Sequence, residues 1–203
     1  KVPEGDNGHW RVIDGVIDYD ARSEASGDKS LWTEQAFGDF VLLVDWRIKE
    51  TPYISNNVRV LLPDGSEKLN EKGEPIRITM PDSDSGIMFR SSNQVNIWCW
   101  PVGSGELWST RRSKDVSPAD RAGATPRMHA DRNIGEWNTF EITLRGDRVK
   151  VILNGHTVIE NGLVPGLPPK GPIGLQHHGR WENGKYTGPP SLVQFRNIFI
   201  KEI

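Results

Sequence analysis

The sequence predicts an all-β protein built as a two-sheet antiparallel sandwich or jelly roll. Three observations predict this class: apolar and polar residues alternate with a period of two in several segments, turn dipeptides separate those segments, and no long window has a helical period. The chain also contains 21 glycines and 14 prolines in 203 residues, as expected for many turns. We expect one domain over residues 1–203, because a chain of ~200 residues can bury a full core.

Turn signals place two hairpins along the chain. Asp14-Gly15 interrupts the apolar segment 11–19, and Asn154-Gly155 interrupts 148–161. Both dipeptides supply the positive φ angles that a type I′ turn requires. Further strands are predicted at 39–48, 85–90, 94–100, 137–144, 171–179 and 191–203.

Three other local features are predicted from the same alternation and from capping residues. The last strand changes phase near Arg196-Asn197, which indicates a bulge. One short helix is expected at 117–123, with Ser117 as its N-cap and Pro118 at its first position. Segments 62–84 and 101–136 fit no strand, and long irregular segments in compact domains often form the rim of a site.

Composition excludes several classes of protein. The formal net charge is -2, whereas a surface that binds nucleic acid needs a basic excess, so we expect no nucleic-acid partner. No apolar run approaches the ~20 residues of a membrane span. The single cysteine, Cys99, excludes an internal disulfide.

Strand parity predicts a polar groove on one sheet face. Each strand that contributes to it has apolar residues directed inward and unusual polar or aromatic residues directed outward. Amide and charged groups recognise hydroxyls through directional hydrogen bonds, and indole rings stack on sugar rings. We therefore expect a carbohydrate partner. The outward residues are Gln94, Asn96, Trp98, Arg90, Gln176 and His178, with Glu34 beside Trp32 and Asp45 on the outer face of 39–48.

The His177-His178 pair is not expected to hold a metal. Adjacent strand residues point to opposite faces, so His178 belongs to the groove, and His177 lies either beneath the sheet or at a strand end where alternation fails. The segment PDSDSG (81–86) lacks most ligands of a calcium loop and is interpreted as a turn. We expect no cofactor; a divalent metal ion could act as an electrophile, but the sequence offers no firm ligand set.

The groove strand QVNIWCW (94–100) contains no carboxylate. Standard glycosidases need two carboxyl groups that flank the scissile bond. The sequence therefore argues against that mechanism.

Several long motifs resemble the 3-keto-disaccharide hydrolase family. They are LWTEQAFGDFVLLVDWRI, DSGIMFR, QVNIWCWPVGSGELW, GEWNTFEITLRGDRVKVILNGHTVIEN and GLPPKGPIGLQHHG, followed by VQFRNIFIKE, in order over most of residues 10–203. The resemblance implies a concanavalin A-like lectin/glucanase jelly roll, an exported bacterial protein of the periplasm or cell surface, and activity on 3-keto-glycosides. This chain departs from the family at Asn96, where many members carry an acidic residue, and in segment 58–84, which resembles an insertion.

The resemblance also implies a mechanism without a carboxylate nucleophile. A base removes the C2 proton beside the C3 ketone, the enolate expels the C1 substituent, and water adds to the enone. The base is His178 or Glu34, and Glu106 is the acid. The substrate-binding residues are Arg90, Gln94, Asn96, Trp98, Gln176, Asp45 and Trp108.

Two other functions compete with this hydrolase. A non-catalytic carbohydrate-binding module on the same fold needs only stacking rings and amides, whereas the enzyme needs a titratable base at the groove floor. An ordinary glycosidase needs paired carboxylates, for which the groove strand offers no candidates.

Overall fold

In the computed structural model, which describes residues 1–91 and 93–203, antiparallel strands form two sheets that pack against each other. The predicted all-β sandwich is confirmed. The larger sheet has seven strands, which are in spatial order β1 (Trp10–Ile13), β2 (Val16–Tyr19), β15 (Val193–Glu202), β4 (Phe40–Ile48), β9 (Asn138–Arg145), β10 (Arg148–Leu153) and β11 (His156–Leu163).

The smaller sheet carries the site. It has four strands in the spatial order β3 (Leu31–Trp32), β12 (Ile173–Leu175), β7 (Asp84–Phe89) and β8 (Gln94–Trp98). Two hairpins lie outside both sheets: β5 (Tyr53–Arg59) with β6 (Arg77–Asp82), and β13 (Trp181–Glu182) with β14 (Lys185–Tyr186). Two short helices follow β8 in the chain, α1 (Trp108–Arg112) and α2 (Pro118–Gly123).

Alternating side chains fill the space between the sheets. From β4, Phe40, Leu42, Val44 and Trp46 are buried, and they join inward residues of the smaller sheet in one hydrophobic cluster. Truncation of such a fully buried side chain to alanine typically costs about 2–5 kcal/mol. The inward face of the smaller sheet is thus fixed by the core, and its outward face is left for other roles.

The predicted turns and bulge are confirmed. Asp14 and Gly15 have φ angles of 50° and 77°, and Asn154 and Gly155 have φ angles of 51° and 83°. The pairing of β15 with β4 shifts between Arg196 and Phe199, at the predicted bulge.

The two segments predicted to be irregular are partly regular. The helix predicted at 117–123 is present as α2, and the Ser117 hydroxyl accepts a hydrogen bond of 3.1 Å from the Asp120 N–H. Segment 62–84 contains β6, which pairs with β5, so its prediction as irregular was wrong there. Among the described residues, no helix is long and apolar enough to cross a bilayer.

Candidate functional site

The register between β7 and β8 brings the site residues to one face. Gly86 lies opposite Asn96, Met88 opposite Gln94, and Asp84 opposite Trp98. Directly opposed residues in an antiparallel pair point to the same face of the sheet. The outward row therefore contains acidic, amide and glycine positions side by side.

A cavity of about 280 Å³, here called the amide cavity, opens on this face. It brings four of the predicted groove residues together. Its lining residues are Asp84, Gln94, Asn96, Trp108, Ser109, Gln176 and His178.

Gly86 lies between two glutamine side chains that line the amide cavity. A Cβ atom placed there would lie 3.2 Å from both Gln176 Oε1 and Gln94 Cδ, so the missing side chain allows the two amides to approach. Gln176 Oε1 is buried without a hydrogen-bond partner among the described residues. An unsatisfied buried acceptor costs about 1–3 kcal/mol, and a ligand hydroxyl that donates to it would remove this cost.

A chain of polar contacts ties the amides to a buried ion pair. Gln94 Nε2 donates to Asn96 Oδ1, and Asn96 Nδ2 donates to Glu106 Oε2 at 3.4 Å. Glu106 is fully buried and its other oxygen accepts from Arg111 Nε. Asn96 is therefore an uncharged link between Gln94 and Glu106. The predicted acid Glu106 has its charge matched by a guanidinium.

His178 has one ring nitrogen fixed by the backbone. Its Nδ1 lies 2.7 Å from the Pro189 carbonyl oxygen, and its backbone N–H donates to Ser191 Oγ at 2.6 Å. A carbonyl only accepts, so Nδ1 carries the proton and Nε2 can receive one. Nε2 lies 3.7 Å from Asp84 Oδ2.

Asp84 is a largely buried carboxyl group at the junction of polar side chains. Burial raises its pKa to about 6; His178 lowers this pKa and the neighbouring Asp82 carboxylate raises it. Its Oδ1 has no hydrogen-bond partner in the described part of the chain. The group thus exchanges a proton near neutral pH, beside an imidazole that can receive one.

A second cavity adjoins the first and is here called the tryptophan–arginine cavity. Asp84, Trp108 and His178 line both cavities, so they mark the junction. On its other sides the second cavity is lined by residues that include Asn57, Arg59, Asp82, Trp100, Arg111 and Arg112.

Two of these residues contact each other at the cavity wall. Trp100 Nε1 lies 3.3 Å from Asp82 Oδ2 and donates to it, and burial raises the pKa of the Asp82 carboxyl.

Arg90 is not in the groove, which corrects the prediction. Its φ of 56° ends the alternation of β7 and turns the side chain away. The buried guanidinium donates to Asp39 at 2.7 Å and to the Gly146 carbonyl at 3.0 Å. Arg90 therefore joins the smaller sheet to the start of β4 and to the β9–β10 turn.

Trp98 is on the predicted face, but its ring is covered. It is 3 % exposed and stacks on Trp100 with ring centres 4.3 Å apart, and its Nε1 donates to the Gly103 carbonyl at 2.7 Å. Trp98 cannot present a ring face to a sugar, and the exposed Trp108 is the better candidate for contact.

Glu34 and Asp45 also lie outside both cavities, contrary to prediction. Glu34 is exposed beyond the end of β3. Asp45 is on the outer face of the larger sheet, where it accepts from Thr139 at 2.6 Å and Asn197 at 2.8 Å. Both were assigned by strand parity, which does not apply to Glu34 beyond the end of β3 and does not say which sheet the strand of Asp45 joins.

Sequence reasoning missed the acidic pair and the buried arginine. Asp82 and Asp84, which were predicted to lie in a turn, belong to β6 and β7 and line the tryptophan–arginine cavity, so the prediction of a turn was wrong. The available signal was the alternation of residue types along segment 82–90, DSDSGIMFR, because β7 begins at Asp84 within it. Within residues 1–91 and 93–203, no group of three or more His, Cys, Asp or Glu side chains is placed to hold a metal ion.

His177 lies beyond the end of β12, where strand alternation no longer applies. Its Nδ1 lies 2.7 Å from the hydroxyl of Tyr19, a fully buried residue, and burial lowers the pKa of His177 to about 4.

Residues 1–201 match the family model described as the 3-keto-alpha-glucoside-1,2-lyase-like domain. The chain belongs to this family. The family assignment supports a carbohydrate-active function. No curated protein matches the chain.

Two solved structures from Parabacteroides distasonis ATCC 8503 share the fold, and their own assignment as glycosyl hydrolases is provisional. One is 22 % identical with a TM-score of 0.50, over 96 % of this chain and 90 % of that one. The other is 15 % identical with a TM-score of 0.55, over 96 % and 84 %.

Proposed function

We propose that this protein cleaves 3-keto-glycosides by proton abstraction at C2, with His178 as the base. The observation that carries the proposal is the orientation of His178 at the junction of the two cavities. Its Nδ1 is held by the Pro189 carbonyl at 2.7 Å, so Nε2 faces the groove in the form that accepts a proton.

The chemistry balances with groups already at the junction. Nε2 takes the C2 proton, and the C2–H electron pair forms the enolate with the C3 ketone. The enolate collapses to the enone, the C1–O bond breaks, and the leaving oxygen takes a proton. The His178 imidazolium can return the proton to that oxygen, with the Asp84 carboxylate 3.7 Å from Nε2. Water then adds at C1 of the enone to complete hydrolysis.

The amide cavity supports recognition of the sugar. Gln176 Oε1 lacks a partner among the described residues and can accept from a ring hydroxyl. The amide of Gln94 lines the same cavity, across Gly86, and can donate to the ketone or enolate oxygen.

A standard glycosidase is the second candidate, because Asp82 and Asp84 both line the groove. The two carboxyl groups are only two residues apart in the chain, whereas the standard mechanism places them on either side of the scissile bond. The arrangement therefore favours elimination.

The test is to incubate the protein with 4-nitrophenyl 3-keto-glucoside and with the plain 4-nitrophenyl glucoside. We expect nitrophenol release from the keto substrate alone. In D₂O the elimination route replaces C2–H by C2–D in the recovered 3-keto-glucose, whereas direct displacement at C1 keeps the original hydrogen. A 3-keto-glucose sample incubated without protein corrects for spontaneous exchange.

Three other outcomes would overturn the proposal. Cleavage of the plain glucoside at a similar rate indicates the standard glycosidase. Retention of C2–H in the recovered 3-keto-glucose also excludes elimination. Saturable binding of both glucosides without release indicates a carbohydrate-binding module.

A further inference from the structure

The far end of the tryptophan–arginine cavity is strongly basic. Arg59, Arg111 and Arg112 line it, and the same three side chains also line an adjoining surface pocket together with Lys114 and Arg121. Glu67 is the carboxylate among the lining residues of that pocket.

The nearby carboxylates do not neutralise this cluster. Glu67 accepts from Arg59 at 2.7 Å and from Arg77 at 2.9 Å, so its single charge is shared by two guanidiniums. Glu106 is paired with Arg111. Arg112 makes no ion pair with any described residue and lies over the Trp108 ring, 4.6 Å from its centre.

Arg111 is held in this cluster with part of its hydrogen-bonding capacity unused. Its side chain is 4 % exposed, and Nη2 has no partner within the described part of the chain. Burial, together with the charges of Arg59 and Arg112, lowers its pKa to about 10. An anion near these three groups would relieve their mutual repulsion.

The basic end has a defined position relative to the reacting bond. The tryptophan–arginine cavity shares Asp84 and His178 with the amide cavity, and it shares the arginines with the basic pocket. Trp100 and Trp108 line the space between. With the keto-sugar in the amide cavity and C2 at His178, the neighbouring C1 lies at the junction, and the group that leaves from C1 extends between the indoles toward the arginines.

We propose that the substrate's leaving group is aromatic and carries a carboxylate, which Arg59 and Arg112 bind at the end of the tryptophan–arginine cavity. This inference rests on the proposed function, since the position of C1 follows from the role of His178. Flat rings match the indole walls, and guanidiniums match carboxylates in geometry and charge.

The test compares two 3-keto-glucosides that differ only in charge at the far end. One carries 4-hydroxybenzoate as its leaving group and the other carries 4-hydroxybenzamide. We expect kcat/KM to favour the carboxylate by about ten- to a hundredfold, the range for hydrogen bonds to charged groups. This preference should shrink as salt is added, because salt screens exposed charges.

Arginine variants distinguish the effect of the basic cluster on kcat/KM from the effect of the different acidities of the two leaving groups. In Arg112→Gln and Arg59→Gln, the ratio of the two kcat/KM values should fall about tenfold relative to the native protein. Arg127→Gln, which removes an exposed positive charge outside both cavities, should keep the native ratio. Arg111 is left intact, because loss of a buried ion-pair partner destabilises the fold.

Binding of the two free leaving groups tests this inference independently of the proposed function. In calorimetric titrations, 4-hydroxybenzoate should bind more tightly than 4-hydroxybenzamide, and Arg112→Gln should remove the difference. The anion subsite is wrong, and the proposed function stands, if two results are found together. Both substrates are cleaved with a ratio of kcat/KM values that the arginine variants leave unchanged, and 4-hydroxybenzoate binds no better than 4-hydroxybenzamide. If neither substrate is cleaved while the acid still binds through Arg112, the subsite stands and the proposed function fails.

Discussion

His178 Nε2 lies 3.7 Å from Asp84 Oδ2, and the opposite ring nitrogen of His178 is hydrogen-bonded to the Pro189 carbonyl. The imidazole is thus held between a backbone acceptor and a carboxyl group that ionises near neutral pH. A carboxylate at this distance stabilises the imidazolium that forms when Nε2 takes a proton.

His178→Ala should lower the turnover of 3-keto-glucoside by ~10²–10⁴-fold, the usual contribution of a general base. Affinity should stay within about tenfold, because the amides of the cavity remain. Steady-state kinetics and a direct binding titration measure the two quantities. His156→Ala, an exposed histidine in the β10–β11 hairpin, is the matched control. Native turnover in His178→Ala would show that another group is the base.

Asp84→Asn should remove the contribution of Asp84 to the acid limb of the pH–rate profile. Burial raises the pKa of Asp84 to about 6, so below this pH the carboxylate that supports His178 is lost and native kcat/KM should fall. The variant should be slower at pH 7 and lack the contribution of Asp84 to the inflection near pH 6. Glu34→Gln, outside both cavities, is the control for removal of one carboxylate. An unchanged inflection near pH 6 in Asp84→Asn would assign it to another group.

The same substitution should stabilise the fold above pH 6. A carboxyl pKa raised by folding contributes stability that is present below about pH 4 and is lost as pH rises through about 6. Asp84→Asn removes this loss, which is of the order of 1–3 kcal/mol. Urea unfolding at pH 4.5 and pH 7 measures it. Equal destabilisation of the variant at both pH values would contradict the raised pKa.

His177 should make the free energy of unfolding depend on pH in the opposite direction. Burial lowers its pKa from 6.5 to about 4, so its contribution to stability is present above pH 6.5 and is lost as pH falls through about 4. His177→Gln, which keeps an acceptor for Tyr19, should flatten the decline of unfolding free energy between pH 6.5 and 4 by up to about 3 kcal/mol. His156→Ala should leave the decline as it is in the native protein. A native slope in His177→Gln would show that other groups cause it.

Arg90→Ala should affect stability and leave substrate recognition intact. The side chain is 2 % exposed and links Asp39 to two backbone carbonyls, so its loss should cost about 2 kcal/mol. Denaturant midpoints and KM for a 3-keto-glucoside measure the two effects. Asp39→Asn keeps an acceptor for the guanidinium and should cost less. A large rise in KM with unchanged stability would restore the substrate-binding role predicted from the sequence.

Alternation along single strands predicted much of the site. Gln94 and Asn96 share a face because residues two apart in a strand point the same way, and the core fixes that face through Val95 and Ile97. The rule failed at Arg90, where a positive φ ends the alternation. It also missed Asp84, because the strand begins one residue before the segment that the sequence predicted.

Contacts between distant segments could not be predicted in this way. The pairing of Glu106 with Arg111 depends on how α1 leaves the sheet, and the approach of Arg59 depends on the packing of the β5–β6 hairpin. Neither has a periodic signature in the sequence. The covering of Trp98 by Trp100 likewise depends on local chain direction after β8 ends.

The β5–β6 hairpin pairs with itself and belongs to neither sheet of the sandwich, yet it supplies Asn57 and Arg59 to the cavity wall. Changes in the length of such a loop cost little free energy, since closure entropy grows only slowly with length. Substrate range and folding stability can therefore evolve separately in this protein. Exchange of the hairpin between relatives offers a route to a different cavity wall on an unchanged sandwich.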